Sequence, residues 1–197
     1  MNRATRDKFA SATDQSDLTA GNSCWETAPA IFAKLQEEYG FDVDLTADAQ
    51  RALLPVWFGP GSPHAEDALL APWTQYGTFG YSNPPYGAFI PKILRKAEAE
   101  ASDGFSSLFV LPLRLTRGFR ASVFHSHSVS EWLHPDKRLT FFENGEPRRD
   151  AKGTPTTAMF DSTILILRPG YFEYPRIAEW RVPDHVPAEF KRRKRAA

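Results

Sequence analysis

Residues 77–87 read Gly-Thr-Phe-Gly-Tyr-Ser-Asn-Pro-Pro-Tyr-Gly, and this stretch is the strongest indication of the fold. Gly77–Ser82 has the composition of a strand, and a helix is predicted from Pro91 to Ala101. Asn83–Tyr86 therefore joins a strand to a helix. In open α/β sheets, ligands bind at the carboxyl edge of the strands, where such a segment lies. The alternative is a tight structural turn, because Asn-Pro and Pro-Pro pairs are frequent in loops.

The Asn83-Pro84-Pro85-Tyr86 segment has the groups needed to hold an exocyclic amino group of a planar base. The side-chain oxygen of Asn83 and the carbonyl of Pro84 can each accept one N–H, while the Tyr86 ring stacks on the base. Proline fixes φ and has no N–H, so the carbonyls stay aimed. With both hydrogens engaged, the lone pair of the nitrogen turns towards an electrophile. We therefore take these four residues as the candidate catalytic residues.

Strands and helices alternate early in the chain, and consecutive strands follow. A helix is expected from Thr27 to Tyr39, ended by Gly40, and a strand from Phe41 to Leu45. The apolar run Phe105–Leu111 predicts a strand buried on both faces. We predict an α/β fold with a doubly wound, Rossmann-like sheet that is mostly parallel and has an antiparallel edge hairpin. The other expected elements are helices at 48–54 and 116–124 and strands at 128–133, 138–142 and 159–167.

The chain of 197 residues is expected to form one domain with polar ends. Residues 1–22 are predicted to be a flexible lead-in, 23–170 the domain, and 171–197 an extended basic tail. The single cysteine, Cys24, excludes an internal disulfide and fits a reducing cytoplasm. No apolar segment approaches 18 residues and no signal-peptide pattern occurs, so neither membrane spanning nor export is expected.

Positive charge is concentrated although the formal net charge is zero. Arg114 and Arg117 follow a predicted strand, and Arg148 and Arg149 lie in the polar stretch 143–157. A nucleic-acid partner would explain such patches, and a solvated surface is the alternative. The stretch 143–157 is long for a hairpin connection, and long loops in compact domains are usually functional.

Five short elements occur in a defined order along residues 24–169. These elements are Trp25-Glu-Thr27-Ala-Pro29, Asp42-Val-Asp44-Leu-Thr-Ala47-Asp48, Asn83-Pro-Pro-Tyr86, Val110-Leu-Pro112-Leu-Arg114 and Lys137-Arg138-Leu-Thr-Phe141. In the order and spacing of these elements, the chain resembles the phage-type DNA N6-adenine methyltransferases. Two positions depart from the family pattern: Ala28 splits the Thr-Pro pair, and Asp136-Lys137 replaces the glycine expected before Arg138.

The resemblance implies S-adenosylmethionine as the methyl donor. Asp44 and Asp48 are expected at the end of the first strand, where an acidic side chain takes ribose hydroxyls or the cofactor's amino group. Helix capping is the alternative for Asp48, and core packing the alternative for Trp25. The chain lacks a Gly-x-Gly-x-x-Gly fingerprint, which argues against an ordinary dinucleotide enzyme. The residues expected to bind the cofactor are Trp25, Thr27, Asp44, Ala47, Asp48 and Asp67.

The resemblance also implies direct methyl transfer to the N6 amino group of an adenine flipped out of double-stranded DNA. Arg114 and Arg117 are expected at phosphates, and the stretch 143–157, with Arg148 and Arg149, at the bases of the target site. No metal is expected, because the histidines lack partners at ligand spacing, and Cys24 has no defined histidine partner for a covalent mechanism. The resemblance implies a phage or prophage protein of the bacterial cytoplasm, in the setting of restriction and modification.

Two alternatives remain open on the sequence. Asn-Pro-Pro-Tyr also occurs in methyltransferases that act on adenine in RNA or on a glutamine amide in proteins, although these usually have a glycine-rich cofactor loop. The other alternative is a non-catalytic DNA-binding module of the same fold.

Overall fold

The computed structural model describes residues 25–113, 117–149, 152–154, 156–158 and 160–184. Its helices are α1 (Pro29–Tyr39), α2 (Phe89–Ser102) and α3 (Arg117–Phe124), with a short 3-10 helix at Trp73–Gln75. The strands are β1 (Glu26–Thr27), β2 (Val43–Asp44), β3 (Val56–Trp57), β4 (Phe79–Ser82), β5 (Ser106–Pro112), β6 (Val129–Pro135), β7 (Phe141–Glu143), β8 (Glu146–Pro147), β9 (Ser162–Leu167) and β10 (Arg176–Trp180).

Seven strands form the main sheet, in the order β10-β6-β9-β5-β4-β2-β3. Four of its pairings are parallel: β10 with β6, β2 with β3, β2 with β4, and β4 with β5. The expectation of a mostly parallel α/β sheet is therefore confirmed. The prediction of an antiparallel hairpin at the edge of this sheet is wrong. β9, the strand of this sheet that runs antiparallel to its neighbours, lies inside it between β5 and β6.

Apolar side chains cover both faces of this sheet. Phe109 and Leu111 of β5 pack in one buried cluster with residues of α2 and α3. Leu108 and Val110, which point to the other face, pack in a second cluster with Ile31 and its neighbours on α1. Side chains alternate between the faces along a strand, so the apolar run of β5 serves both clusters. The prediction that this strand is buried on both faces is confirmed.

The start and the end of α1 follow the sequence signals. Pro29 occupies the first turn, and Gly40 takes a left-handed conformation with φ of 70°. By contrast, the helix expected at 48–54 is wrong. One turn forms there, after which the N–H of Leu53 donates to the carboxylate of Asp44, 3.1 Å away, rather than to a helical carbonyl. The side chain of Asp44 therefore stops the helix from continuing.

A second, smaller sheet has the order β1-β7-β8 and is antiparallel throughout. The stretch 143–157 was expected to be a long loop, but its first part completes the β7–β8 hairpin. Asn144 and Gly145 form the turn with positive φ values of 53° and 76°, as asparagine and glycine allow in a tight hairpin. The hairpin tip is exposed.

The main sheet continues beyond residue 170, the expected end of the domain. β10 pairs in parallel with β6 from Arg176 to Trp180, so this part of the expected tail is a sheet strand. The lead-in at 1–22, Cys24 and the basic segment 191–195 lie outside the described residues. Within the described part of the chain, no helix is long and apolar enough to cross a membrane.

Candidate active site

The carboxyl ends of β2 and β4 lie side by side, because these strands are parallel neighbours. Asp44 ends β2, and Ser82 ends β4 directly before Asn83. The buried hydroxyl of Ser82 shares a hydrogen bond of 2.7 Å with the hydroxyl of Thr46. This bond connects the chain after β2 to the end of β4. The segments expected to bind cofactor and base therefore meet at one edge of the sheet.

The side-chain amide of Asn83 has a fixed orientation. Its Nδ2 donates to the backbone carbonyl of Trp25 over 2.8 Å. A carbonyl only accepts hydrogen bonds, so the NH2 group has to face Trp25 and the oxygen has to face away. That oxygen, Oδ1, accepts a hydrogen bond of 3.2 Å from the hydroxyl of Tyr86. A carbonyl oxygen has two lone pairs, so Oδ1 can accept one further N–H.

The ring of Tyr86 belongs to an aromatic cluster formed by Trp25, Tyr86, Phe141 and Phe160. Tyr86 meets the other three rings edge to face, with the ring of Phe160 at a centroid distance of 5.6 Å. Trp25 and Phe160 are stacked at 5.5 Å with an angle of 13° between their planes. Burial raises the pKa of the Tyr86 phenol far above its ordinary value, so the hydroxyl stays protonated and remains a donor to Asn83.

Trp25 and Thr27 contact β4 and the segment that follows it. Trp25 contributes its carbonyl to Asn83 and its ring to the aromatic cluster. Thr27 is buried, and its hydroxyl shares a hydrogen bond of 2.5 Å with the hydroxyl of Tyr81. Burial raises the pKa of Tyr81 far above its ordinary value. The structure thus brings Trp25 together with Asn83 and Tyr86, and it commits the side chain of Thr27 to a core contact.

Asp44 is almost fully buried, with 3% of its surface exposed. Its carboxylate accepts hydrogen bonds from the backbone N–H groups of Thr46, at 3.4 Å, and Leu53, at 3.1 Å. Burial raises the pKa of Asp44 from 3.8 to about 6, with a smaller contribution from the charge of Asp48, while the two backbone bonds lower it. The ionised carboxylate therefore has too few donors to offset its loss of water.

The carboxylate of Asp48 organises its own turn and does not cap a helix. It accepts backbone N–H groups from Gln50 and Arg51 at 2.9 and 3.1 Å, and its other oxygen pairs with Arg51 at 2.6 Å. Asp67 acts in the same local way, accepting the N–H of Leu69 at 2.8 Å. Each of these two carboxylates thus bonds within its own loop.

Ala47 connects the loop after β2 to the loop after β3. Its N–H donates to the carbonyl of Phe58 over 2.9 Å. Gly59, the residue after Phe58, has φ of 146°, and a Cβ there would lie 1.9 Å from the carbonyl oxygen of Ala47. Only glycine permits this close approach.

Arg148 adjoins the aromatic cluster. The carbon of its guanidinium group lies 4.3 Å from the ring centroid of Trp25, a cation–π contact. Its Nε is 3.7 Å from the carboxylate of Glu143. The sequence thus identified an arginine close to the site, but not its contact with an aromatic ring.

Of the other three arginines expected to contact DNA, the structure describes the side chain of Arg149. Arg149 donates to the carbonyl of Gly153 over 3.0 Å. Arg117 begins α3, and its side chain is not among the described ones; Arg114 lies outside the described residues.

Sequence reasoning missed Phe141, Phe160 and Glu26. Phe141 lies in an expected strand, but only the pairing of β7 with β1 brings it to Trp25. Phe160 carries no local signal beyond its aromatic character. Glu26 contacts both Arg51, at 3.4 Å, and the N–H of Gly145, at 3.1 Å, and neither contact follows from spacing along the chain.

Comparison with known proteins adds one decisive match. Residues 15–168 match the family model described as DNA N-6-adenine-methyltransferase (Dam). The chain belongs to this family. No curated protein and no solved structure matches it significantly. The resemblance to phage-type DNA N6-adenine methyltransferases is thereby confirmed as regards the family, while the phage origin stays a prediction.

Membership of the Dam family implies a DNA adenine methyltransferase with DNA as its substrate. The matched residues include every element assigned above to the site: β1, the carboxyl ends of β2 and β4, and the β7–β8 hairpin. The mostly parallel seven-stranded α/β sheet is compatible with a methyltransferase fold.

Proposed function

We propose that this Dam-family protein transfers the methyl group of S-adenosylmethionine to the N6 amino group of adenine in double-stranded DNA, on a doubly wound, Rossmann-like sheet. The observation that carries the proposal is the hydrogen bond from Asn83 to the carbonyl of Trp25. It turns the amide oxygen of Asn83 into a preset acceptor at the carboxyl edge of the sheet. Such an acceptor suits an amino group and cannot serve a group without hydrogens to donate.

Asn83, Pro84 and Tyr86 have distinct roles in the proposed reaction. The N6 hydrogens donate to Oδ1 of Asn83 and to the carbonyl of Pro84, and the adenine ring stacks on Tyr86 after it leaves the duplex. Both hydrogens are then held in place, so the nitrogen lone pair points out of the ring's conjugation. Pro85 keeps the turn rigid. Positioning and electrostatics supply the acceleration, since the chemistry requires no strong base.

S-adenosylmethionine, when bound, supplies a methyl group activated by its sulfonium. Asp44 fits this cofactor, because its buried carboxylate has few donors and a ribose hydroxyl or an ammonium group would add one. We assign a supporting role to Ala47, Asp48 and Asp67, whose local bonds hold the surrounding loops. Trp25 and Thr27, expected from the sequence to bind the cofactor, are better placed to support the base, because they contact Asn83 and Tyr81.

The proposed DNA surface continues from the aromatic cluster onto the β7–β8 hairpin. A two-stranded ribbon of this kind fits the major groove, where base edges are read. In the chain, Arg148 and Arg149 follow β8, and Arg114 and Arg117 follow β5. We propose the first pair for contacts near the flipped base and the second pair for phosphates.

Transfer of labelled methyl groups from S-adenosylmethionine to duplex DNA, RNA and protein tests the proposal. Label is expected on adenine N6 in duplex DNA, and Asn83→Ala is expected to lose most of it. Gln75→Ala is the matched control, because this exposed amide lies near the amino end of β4, at the opposite edge. Label on RNA or on glutamine instead of DNA would favour the alternative acceptors. Binding of DNA without any transfer would favour a non-catalytic module.

A further inference from the structure

The carboxylate of Glu26 contacts two different elements of the candidate site. Its Oε1 lies 3.4 Å from Nε of Arg51, in the loop after β2. Its Oε2 accepts the backbone N–H of Gly145, at the turn of the β7–β8 hairpin, over 3.1 Å. These partners are 25 residues downstream and 119 residues downstream of Glu26 in the chain. One rigid carboxylate therefore connects two loops that have no connection through neighbouring sequence.

The contact with Arg51 is partly shielded from water, whereas the bond to Gly145 lies at the exposed turn of the hairpin. The side chain of Glu26 is 18% exposed and that of Arg51 is 25% exposed. Arg51 is further held by Asp48, at 2.6 Å, within its own turn. A partly buried charge pair such as Glu26 and Arg51 is screened less by solvent than an exposed pair. Its attraction is therefore retained, and a displacement of the Glu26 carboxylate is transmitted to Arg51. Movement of the hairpin turn therefore acts on the turn formed by Asp48 and Arg51.

Glu26 also lies between two residues with fixed partners. The carbonyl of Trp25 holds Asn83, and the hydroxyl of Thr27 bonds to Tyr81 on β4. The backbone of Glu26 pairs with Phe142 on β7. Its main chain thus cannot shift freely, and the side chain is the part that transmits a displacement. The loop after β2 and the hairpin are connected at the residue next to the one that orients Asn83.

We propose that Glu26 is a positioning residue that couples the cofactor site to the DNA site, so that filling either one raises affinity at the other. The inference rests on the proposed function, which assigns the loop after β2 to the cofactor and the β7–β8 hairpin to DNA. Each ligand orders its own loop, and the shared carboxylate then lowers the cost of ordering the other loop. Coupling of this kind is reciprocal by thermodynamic necessity.

Binding of S-adenosylhomocysteine, a probe that cannot donate a methyl group, tests the inference. Its Kd is measured by calorimetry with and without a duplex DNA that the wild-type protein methylates, and the ratio of the two values is the coupling factor. The wild-type factor is expected to be roughly 5 or more. Glu26→Gln keeps an acceptor for Gly145 but loses the charge that faces Arg51, and its coupling factor should fall towards 1.

Two further variants and one control make the test specific. Arg51→Gln should lower the coupling factor as Glu26→Gln does, and the double variant should show no additional loss, because both changes break the same link. Glu38→Gln is the control: Glu38 also accepts a side-chain bond, from Trp180 at 2.7 Å, and pairs with Lys34, but it lies on α1 away from the carboxyl edge. Its coupling factor should equal that of the wild type.

A wild-type factor of 1, or an unchanged factor in both Glu26→Gln and Arg51→Gln, would overturn the inference. Thermal unfolding of each variant identifies one that fails to fold, and the other variant then decides. The proposed function is tested separately, by labelling of DNA with the wild-type protein. A protein that methylates DNA without coupling would refute the inference and leave the proposed function standing.

Discussion

The carboxyl ends of β2 and β4 are neighbours in the sheet, yet their polar groups are held in different ways. After β2, the carboxylates of Asp44 and Asp48 bond to backbone groups within the next nine residues. After β4, Asn83 bonds to the carbonyl of Trp25, 58 positions away in the chain. The bonds after β2 are thus mostly local, with the contact of Arg51 and Glu26 as an exception, whereas the orientation of Asn83 depends on a contact with Trp25, next to β1.

The loop after β2 and the segment that contains Asn83 therefore depend on different parts of the fold. Most bonds after β2 are local, and the contact of Arg51 with Glu26 reaches β1. In the absence of DNA, binding of the proposed cofactor there is therefore expected to depend little on β1. The orientation of Asn83 requires β1 to be paired with β7, because this pairing places Trp25. Changes at Trp25 and Asn83 should therefore damage methyl transfer more than cofactor binding.

Asn83→Asp is expected to have the largest effect. The second oxygen of a carboxylate would face the carbonyl of Trp25 without a hydrogen between them, so the side chain would turn away or stay protonated. We expect kcat to fall by roughly 100- to 1000-fold, the cost of a lost, preorganised hydrogen-bond group. Part of the activity should return at lower pH, because a protonated Asp can again donate to Trp25. A pH profile of labelled methyl transfer measures both.

An Asn83→Asp variant as active as the wild type at neutral pH would show that the bond to Trp25 does not orient this residue. Gln75→Glu is the control, since it introduces a carboxylate at an exposed amide away from the site.

Trp25→Ala is expected to lower the free energy of unfolding by about 3 kcal/mol, the usual scale for removal of a packed large aromatic side chain. The aromatic cluster would lose the ring that stacks on Phe160 and contacts Arg148. Urea unfolding measures the loss of stability, and Trp25→Phe should retain a large part of it. The Kd of S-adenosylhomocysteine should change little at a temperature where the variant is folded. A large loss of S-adenosylhomocysteine affinity, measured without DNA, would contradict this expectation.

Asp44, after β2, should make the free energy of unfolding depend on pH. Its pKa is about 6 in the folded protein and 3.8 ordinarily, so folding favours the protonated form. The stabilisation is therefore complete below pH 3.8 and is lost as the pH rises through about 6. The difference corresponds to at most about 3 kcal/mol. Urea unfolding is measured across this range for the wild type and for Asp44→Asn, and the stability of the wild type should fall relative to that of the variant as the pH rises. Parallel curves for the two proteins would mean that Asp44 is not the group responsible.

The elements predicted well from the sequence depend on local signals. The strand–turn–helix around Asn83–Tyr86 and the end of α1 at Gly40 are set by neighbouring residues, and both occur as expected. The candidate catalytic segment could be found for the same reason. The helix expected at 48–54 fails because a carboxylate from β2 takes the N–H of Leu53, a competitor that helical periodicity does not include.

The remaining differences arise from tertiary pairing. The position of β9 between β5 and β6 depends on which strands meet, and every residue of β9 is buried, so its composition is that of any interior strand. The contact of Trp25 with Asn83 involves a backbone carbonyl, which every residue has. No pattern of side chains could have predicted it.

Tyr86→Phe should have the smallest effect, and it measures what the hydroxyl of Tyr86 contributes to the orientation of Asn83. The variant keeps the ring in the aromatic cluster and removes only the hydroxyl that donates to Oδ1 of Asn83. One neutral hydrogen bond contributes about 1 kcal/mol, so kcat should fall by roughly fivefold while the KM for DNA changes little. Steady-state kinetics of Tyr86→Phe and Tyr86→Ala should separate the hydroxyl from the ring, because Tyr86→Ala also loses the stacking surface. If Tyr86→Phe were faster than the wild type, the hydroxyl would be competing with adenine for Asn83, and the amide would owe its orientation to Trp25 alone.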